Sequence, residues 1–109
     1  GYLGKHWWNS VKWVGRFIDA AIIVLTTGYA TGGKKVLSYL IRHQKSKLIR
    51  YTAKVVGKKL GLAASKWVAA AINIAMNFFG SSPGQIIAKA LDWTDGWHGY
   101  KRSNGWIMN

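Results

Sequence analysis

The stretch "KHWWNSVKWVGRFIDAAIIVLT", residues 5–26, repeats apolar side chains at the spacing of one helix face. On a wheel of about 100° per residue, the face of Trp7 also carries Val11, Val14, Ile18, Ala21, Ile22 and Leu25. The opposite face carries Lys5, Asn9, Lys12, Arg16 and Asp19. This pattern predicts an amphipathic helix in which Trp7 points inward, while Trp8 and Trp13 lie where the two faces meet.

Three more helical segments are predicted in the middle of the chain. Residues 34–43 place their aliphatic side chains on one side, and a second segment begins near Lys45. In this second segment Gly57 and Gly61 predict a bend or a break. The third segment, 62–79, is apolar nearly all round, so we expect it to be the central helix of the fold.

The last predicted helix has a clear start signal and runs to about Trp93. Ser82 is placed as the N-cap, Pro83 as the first helical residue and Gln85 as the second partner of a capping box. The remaining tail, "TDGWHGYKRSNGWIMN", is rich in glycine and aromatic residues and has no helical period. We therefore expect the tail to be an irregular strap or a mobile segment.

These segments predict an all-α fold, a compact bundle of about five amphipathic helices with an irregular aromatic C-terminal tail. A length of 109 residues, 50% of them hydrophobic, suits a single domain over 1–109. A weak match between "KWVGRFIDAA" from Lys12 and "KWVAAAINIA" from Lys66 leaves open an internal duplication near 1–54 and 55–109. Two helices of similar composition are the simpler explanation.

The charge of the chain is strongly unbalanced. It has 16 Lys and Arg against three acidic residues, a formal net charge of +13, and no Glu. Such a charge repels itself in a small folded body and attracts polyanions or anionic membranes. Because seven Trp accompany the Lys residues, a lipid interface is favoured over nucleic acid: cations meet the head groups there and indoles lie at the boundary.

Most of this charge falls in residues 34–66, which hold ten Lys and Arg and no acidic residue. We predict that the cationic membrane-binding residues are Lys34, Lys35, Lys45, Lys47, Arg50, Lys54, Lys58 and Lys59. Tryptophan is typical of the boundary between water and membrane. The predicted aromatic anchors are Trp8, Trp13, Trp93, Trp97 and Trp106.

The sequence offers little for catalysis or for metal binding. "GYATGGKK", residues 28–35, resembles a phosphate loop, but Lys35 stands where Ser or Thr should hold magnesium. Asp19, three residues after Arg16, is expected to be its surface partner rather than a catalyst. Asp92 and Asp95 are placed near a helix end, within reach of Lys89. The three histidines have no metal-ligand spacing and there is no cysteine, so we predict no enzyme activity, no cofactor and no metal.

The chain resembles the cationic, Trp-rich helical bacteriocins of Gram-positive bacteria, of the lacticin Q and aureocin type. It is more loosely similar to the circular bacteriocins with a saposin-like helical fold. The likeness rests on amphipathic helices rich in Lys and Trp, on the lack of Cys and Glu, and on phrases such as "SKWVAAAI" and "KALDW". The resemblance implies a secreted protein that permeabilises the anionic membranes of related bacteria, together with a cognate immunity protein.

Two other functions fit the same composition. A basic helical protein that binds nucleic acid would use the same cations on phosphates, with affinity that falls steeply as salt increases. A membrane-active component of a phage or of a secretion system would share the physics of the bacteriocins. The basic residues are mostly Lys, with few Arg to contact base edges, and this favours the membrane.

Overall fold

A computed structural model describes residues 5–26, 32–61, 65–95 and 105–107. These residues form the five helices α1 Val11–Ile22, α2 Lys34–His43, α3 Lys45–Leu60, α4 Ser65–Ile74 and α5 Pro83–Thr94. Short 3-10 turns lie at Trp7–Asn9, Ile23–Leu25 and Ala75–Asn77. No strand forms within the described ranges, and one hydrophobic core takes residues from all five helices. The prediction of an all-α bundle is confirmed, while the saposin-like arrangement stays a prediction.

Helix α1 begins six residues later than the sequence pattern suggests. Ser10 has an extended backbone and is the N-cap, because its hydroxyl accepts a hydrogen bond from the backbone N–H of Trp13 (3.2 Å). Trp7 precedes this cap in a 3-10 turn and is 63% exposed, so the prediction that it points inward is wrong. The turn and the extended residue shift Trp7 out of phase with α1, whose own predicted core residues Val14 and Ile18 are buried.

Helices α2 and α3 are separated by a single residue, Gln44. The bounds of α2 are those predicted, and α3 passes through Gly57 without a break. Helix α3 ends at Gly61, whose φ of +71° lies in the left-handed region that glycine adopts at helix ends. The described sequence 32–61 is therefore two helices joined by a sharp turn.

The central helix is α5 and not, as predicted, the segment 62–79. Eight of the twelve residues of α5 are buried, including Ile86, Ile87 and Leu91. Helix α4 is shorter than predicted, and it exposes Ala70 and Asn73 on its outer side. High apolar content identified a helix of the core correctly, but the packing of all five helices decides which helix becomes central.

Helices α1 and α5 approach each other closely where two glycines meet. A Cβ atom added to Gly15 would lie 2.9 Å from the Cα of Gln85, and one added to Gly84 would overlap the carbonyl oxygen of Gly15. Asp19 accepts a hydrogen bond from the backbone N–H of Gly84 (2.7 Å). Asp19 is therefore a cap of α5 rather than the predicted surface partner of Arg16.

The start of α5 agrees with the sequence except for one bond. The Ser82 hydroxyl accepts from the backbone N–H of Gln85 (3.1 Å), and Pro83 is the first helical residue. The side-chain oxygen of Gln85 accepts from the backbone N–H of Ser81 (2.8 Å), one residue before the position that a capping box requires.

Residues 105–107 of the tail form a strap across the start of α1. The backbone N–H of Ile107 donates to the carbonyl of Asn9 (2.8 Å), and the side-chain amide of Asn9 donates to the carbonyl of Ile107 (2.9 Å). The buried carboxylate of Asp92, near the end of α5, accepts from the backbone N–H of Gly105 (2.8 Å). Because Ile107 is fully buried, this part of the tail belongs to the core.

Candidate functional site

A row of cations follows the outer face of α3. Lys47, Arg50, Lys54 and Lys58, which we call the basic ridge, are all exposed. The opposite face of α3 is buried through Leu48, Thr52, Val56 and Leu60. Like charges three and four residues apart on a helix repel each other. The bundle therefore directs this charge towards solvent, where an external anion can approach it.

Three aromatic rings form a second feature at the start of α1. Trp7, Trp13 and Phe17, which we call the aromatic cluster, have ring centroids 5.4 to 6.4 Å apart. The ring of Trp7 meets the ring of Trp13 edge to face, at 80°. This spacing and geometry are favourable for aromatic pairs. Since Trp7 is largely exposed, the cluster presents an apolar surface to solvent.

A groove between α1 and α3 joins the aromatic cluster to the basic ridge. Phe17 lines this groove on the side of α1, and Lys54 and Lys58 of the ridge line it on the side of α3. The amine of Lys59 lies 4.7 Å from the centre of the Phe17 ring, a cation–π contact between the two helices. The guanidinium of Arg16 lies 4.7 Å from the Trp13 ring. Cations and aromatic rings are therefore neighbours on one side of the bundle.

The eight predicted cations occupy two places rather than one. Lys45 and Lys59 are exposed on α3 with the basic ridge, so six of the eight lie on this helix. Lys34 and Lys35 begin α2, roughly 15 Å along that helix from its junction with α3. The amine of Lys34 lies 3.9 Å from the ring centre of Phe79, which is 72% exposed.

The predicted tryptophan anchors also lie at different places in the structure. Trp8 is half-buried against the core with its ring stacked on His6, and Trp106 is half-buried under the amine of Lys5. Trp93 is 38% exposed at the end of α5. Of the predicted anchors in the described residues, Trp13 alone lies in the aromatic cluster. Trp97 lies outside the described residues.

Sequence reasoning missed two members of the aromatic cluster, Trp7 and Phe17. A signal for Phe17 was present, because Trp13, Phe17 and Ala21 follow one another at a spacing of four residues on one flank of α1. Trp7 had no such signal, since its exposure depends on the turn before Ser10. Phe79 was missed as well, because it is the last residue of the segment 62–79 that was predicted to be the central helix, whereas it follows the 3-10 turn Ala75–Asn77 and is exposed.

Other chemistry is limited in the described part of the chain. No group of three metal-ligating side chains occurs there, and none of the described helices is long and apolar enough to cross a membrane. Burial raises the pKa of the Asp19 carboxyl, against the lowering effect of its hydrogen bonds with Ser82 and Gly84. This carboxyl is already engaged in capping α5, so the basic and aromatic groups remain the main functional feature.

No protein family, curated protein or solved structure matches the chain.

Proposed function

We propose that this protein binds anionic bacterial membranes through the basic ridge and the aromatic cluster, and then permeabilises them. In this proposal it is a secreted antimicrobial protein of the bacteriocin type, with no enzyme activity and with a cognate immunity protein as a second partner. The observation that carries the proposal is the groove where Lys54, Lys58 and Lys59 lie beside Phe17. The lysines and the aromatic ring of this groove are close enough to contact the same lipid interface.

The charges of α3 supply the first step, which is recruitment to the membrane. A basic residue near an anionic leaflet contributes about 1 kcal/mol, so the four residues of the basic ridge contribute about 4 kcal/mol together. This attraction acts before any apolar contact forms. It also relieves the repulsion among the ridge cations, which no acidic residue within 34–66 can offset.

The aromatic cluster supplies the second step, which is anchoring at the depth of the head groups. Trp7 is the exposed member, and Trp13 and Phe17 lie behind it. In the third step the bundle opens, and the apolar segments 17–25 and 67–79 exchange protein contacts for acyl chains. Self-repulsion of a chain with a net charge of +13 lowers the cost of this opening.

Dye release from vesicles tests the proposal. We expect release from phosphatidylglycerol vesicles and little release from phosphatidylcholine vesicles. The triple variant Lys47→Gln/Lys54→Gln/Lys58→Gln should lose about 3 kcal/mol of attraction, roughly 100-fold in affinity for the anionic vesicles. Its control, Lys12→Gln/Arg42→Gln/Lys66→Gln, has the same net charge but removes exposed cations from three other helices, and it should stay close to the unmodified protein.

A second variant separates anchoring from recruitment. Trp7→Leu should keep most of the binding to anionic vesicles but release less dye, since the exposed ring is lost while the basic ridge is intact. Equal release from both vesicle types, or none from either, would refute the proposal. Binding to duplex DNA with a steep dependence on salt and no response to lipid would assign the basic ridge to nucleic acid instead.

A further inference from the structure

The groove between α1 and α3 is a cavity with an apolar lining. Its volume is about 460 Å³, within the range of about 300–1,000 Å³ typical of sites for small ligands. Ala20 and Ala21 line it on the side of α1, and Tyr51 and Val55 line it on the side of α3. The cavity exists because the methyl side chains of Ala20 and Ala21 are small, whereas the side chains of Phe17 and of α3 around them are larger.

The charge around the groove is of one sign. Lys54, Lys58 and Lys59 all line it, and no acidic residue among the described residues does. The methylene stems of these lysines extend the apolar wall, while their amines reach solvent. An occupant with an apolar body and an anionic end would match both parts of the groove.

The shape of the site indicates what kind of body fits. Tyr51 and Val55 are four residues apart on α3 and therefore form a row along the helix. On α3 the lining of the groove extends from Tyr51 to Lys58, seven residues or about 10 Å along the helix. The groove is thus elongated along α3, which suits a single extended chain better than a flat ring.

We infer that the groove binds one acyl chain of an anionic membrane lipid, whose phosphate contacts the amines of Lys54, Lys58 and Lys59. This inference deepens the proposed function and rests on it, because it names the lipid that the basic and aromatic surface would withdraw from the bilayer. A captured chain would hold α1 and α3 against the membrane at a defined place. It would also add selectivity for anionic lipid beyond the attraction of the basic ridge.

The test uses monomeric lipid, so that no bilayer is present. Methyl groups of Ala21 and Val55 are followed by NMR while lysophosphatidylglycerol is added below the concentration at which it forms micelles. We expect saturable shifts at both residues with one lipid bound per protein. Lysophosphatidylcholine with the same acyl chain should bind at least tenfold more weakly, and glycerol phosphate, which has no chain, should give no shifts at these methyl groups.

Two variants and a matched control make the test specific. Ala20→Phe fills the groove from an exposed position and should weaken lysophosphatidylglycerol binding at least tenfold. Ala70→Phe, the same substitution at an exposed position of α4, should leave it unchanged. Binding of lysophosphatidylglycerol to Ala20→Phe with unchanged affinity would overturn the inference.

If Ala20→Phe does not fold, the variant Lys54→Gln/Lys58→Gln/Lys59→Gln decides, because its three side chains are exposed. It should bind lysophosphatidylglycerol no better than lysophosphatidylcholine, and a retained preference would overturn the inference. Dye release from anionic vesicles without saturable binding of the monomer would refute the groove and leave the proposed function standing. Saturable binding of the monomer without dye release would refute membrane permeabilisation and leave a lipid-binding groove.

Discussion

Helices α3 and α5 both pack against α1, but they are built in opposite ways. Helix α5 carries one Lys and one Asp, and eight of its residues are buried. Helix α3 carries six Lys and Arg on sixteen residues and buries only four. Helix α5 holds the bundle together, whereas helix α3 displays charge at the edge of the bundle.

The two helix starts show the same contrast. At the start of α5, backbone N–H groups that have no partner within the helix donate hydrogen bonds to the side chains of Ser82 and Asp19. At α3 the N-cap Gln44 makes no side-chain capping hydrogen bond, and Lys45 and Lys47 place positive charge at the positive end of the helix dipole. The uncapped and positively charged start of α3 therefore destabilises the folded protein when it is alone. An anionic partner would offset this cost.

The strongest test of this contrast is a methyl group added where α5 meets α1. Gly84→Ala should lower the free energy of unfolding by about 3 kcal/mol or more, because its Cβ would overlap the carbonyl of Gly15 and the carboxyl of Asp19. Urea denaturation measures the loss. Ala70→Val, which adds methyl groups on an exposed face, should cost no more than about 0.7 kcal/mol, the difference in helix propensity. A loss below about 1 kcal/mol for Gly84→Ala would show that the two helices can separate at little cost.

A pair of identical substitutions should have opposite effects in the two helices. The hydroxyl of Thr52 in α3 is buried and has no hydrogen-bond partner among the described residues, so Thr52→Val should stabilise the protein by about 1 kcal/mol. The hydroxyl of Thr94 in α5 accepts from the indole N–H of Trp67 (2.8 Å) and donates to the carbonyl of Ala90 (2.7 Å).

Thr94→Val should therefore destabilise the protein by about 1–2 kcal/mol, because it leaves the half-buried indole N–H of Trp67 without its acceptor. Thermal unfolding of both variants gives the two signs in one experiment. Destabilisation by Thr52→Val would mean that this hydroxyl takes part in a hydrogen bond in solution.

The charge of α3 should cost stability in the absence of lipid. The variant Lys47→Gln/Lys54→Gln/Lys58→Gln should raise the free energy of unfolding by about 1 kcal/mol, since each like-charge pair removed is worth about 0.2–0.5 kcal/mol. Added salt should shrink this gain, because it screens the exposed charges. The control Lys12→Gln/Arg42→Gln/Lys66→Gln should gain less. An equal gain in the control would mean that net charge, and not the ridge, sets the repulsion.

The smallest effect expected is a pH dependence at the start of α5. Burial raises the pKa of Asp19 in the folded protein, so between its unfolded and its folded pKa the folded state binds more protons than the unfolded state. The contribution of Asp19 to stability should therefore fall as pH rises through this window. Asp19→Asn should lack that fall, and the difference in unfolding free energy between it and the unmodified protein, followed with pH, isolates this carboxyl. A difference independent of pH would contradict the raised pKa.

Local sequence was sufficient for much of the fold. The bounds of α2, the start of α5 at Pro83 and the cationic row on α3 depend on helix periodicity and capping, and these involve residues only a few positions apart. The core residues Val14, Ile18 and Ile22 of α1 follow from the same periodicity. Six of the eight predicted cations lie together because they belong to one helix.

The remaining features depend on residues far apart in the chain. The hydrogen bonds between Asp19 and Gly84 and between Asn9 and Ile107 form only when the helices have assembled. Trp7 is exposed because a turn before Ser10 rotates it away from the core.

The sequence by itself determined an all-α chain with one strongly basic helix, because charge and periodicity are local properties. Only the tertiary structure decided that α5 is central and that Phe17 lies beside Lys59. The apolar content of a helix determines how much of its surface must be buried, whereas the packing of all five helices determines which neighbours bury it.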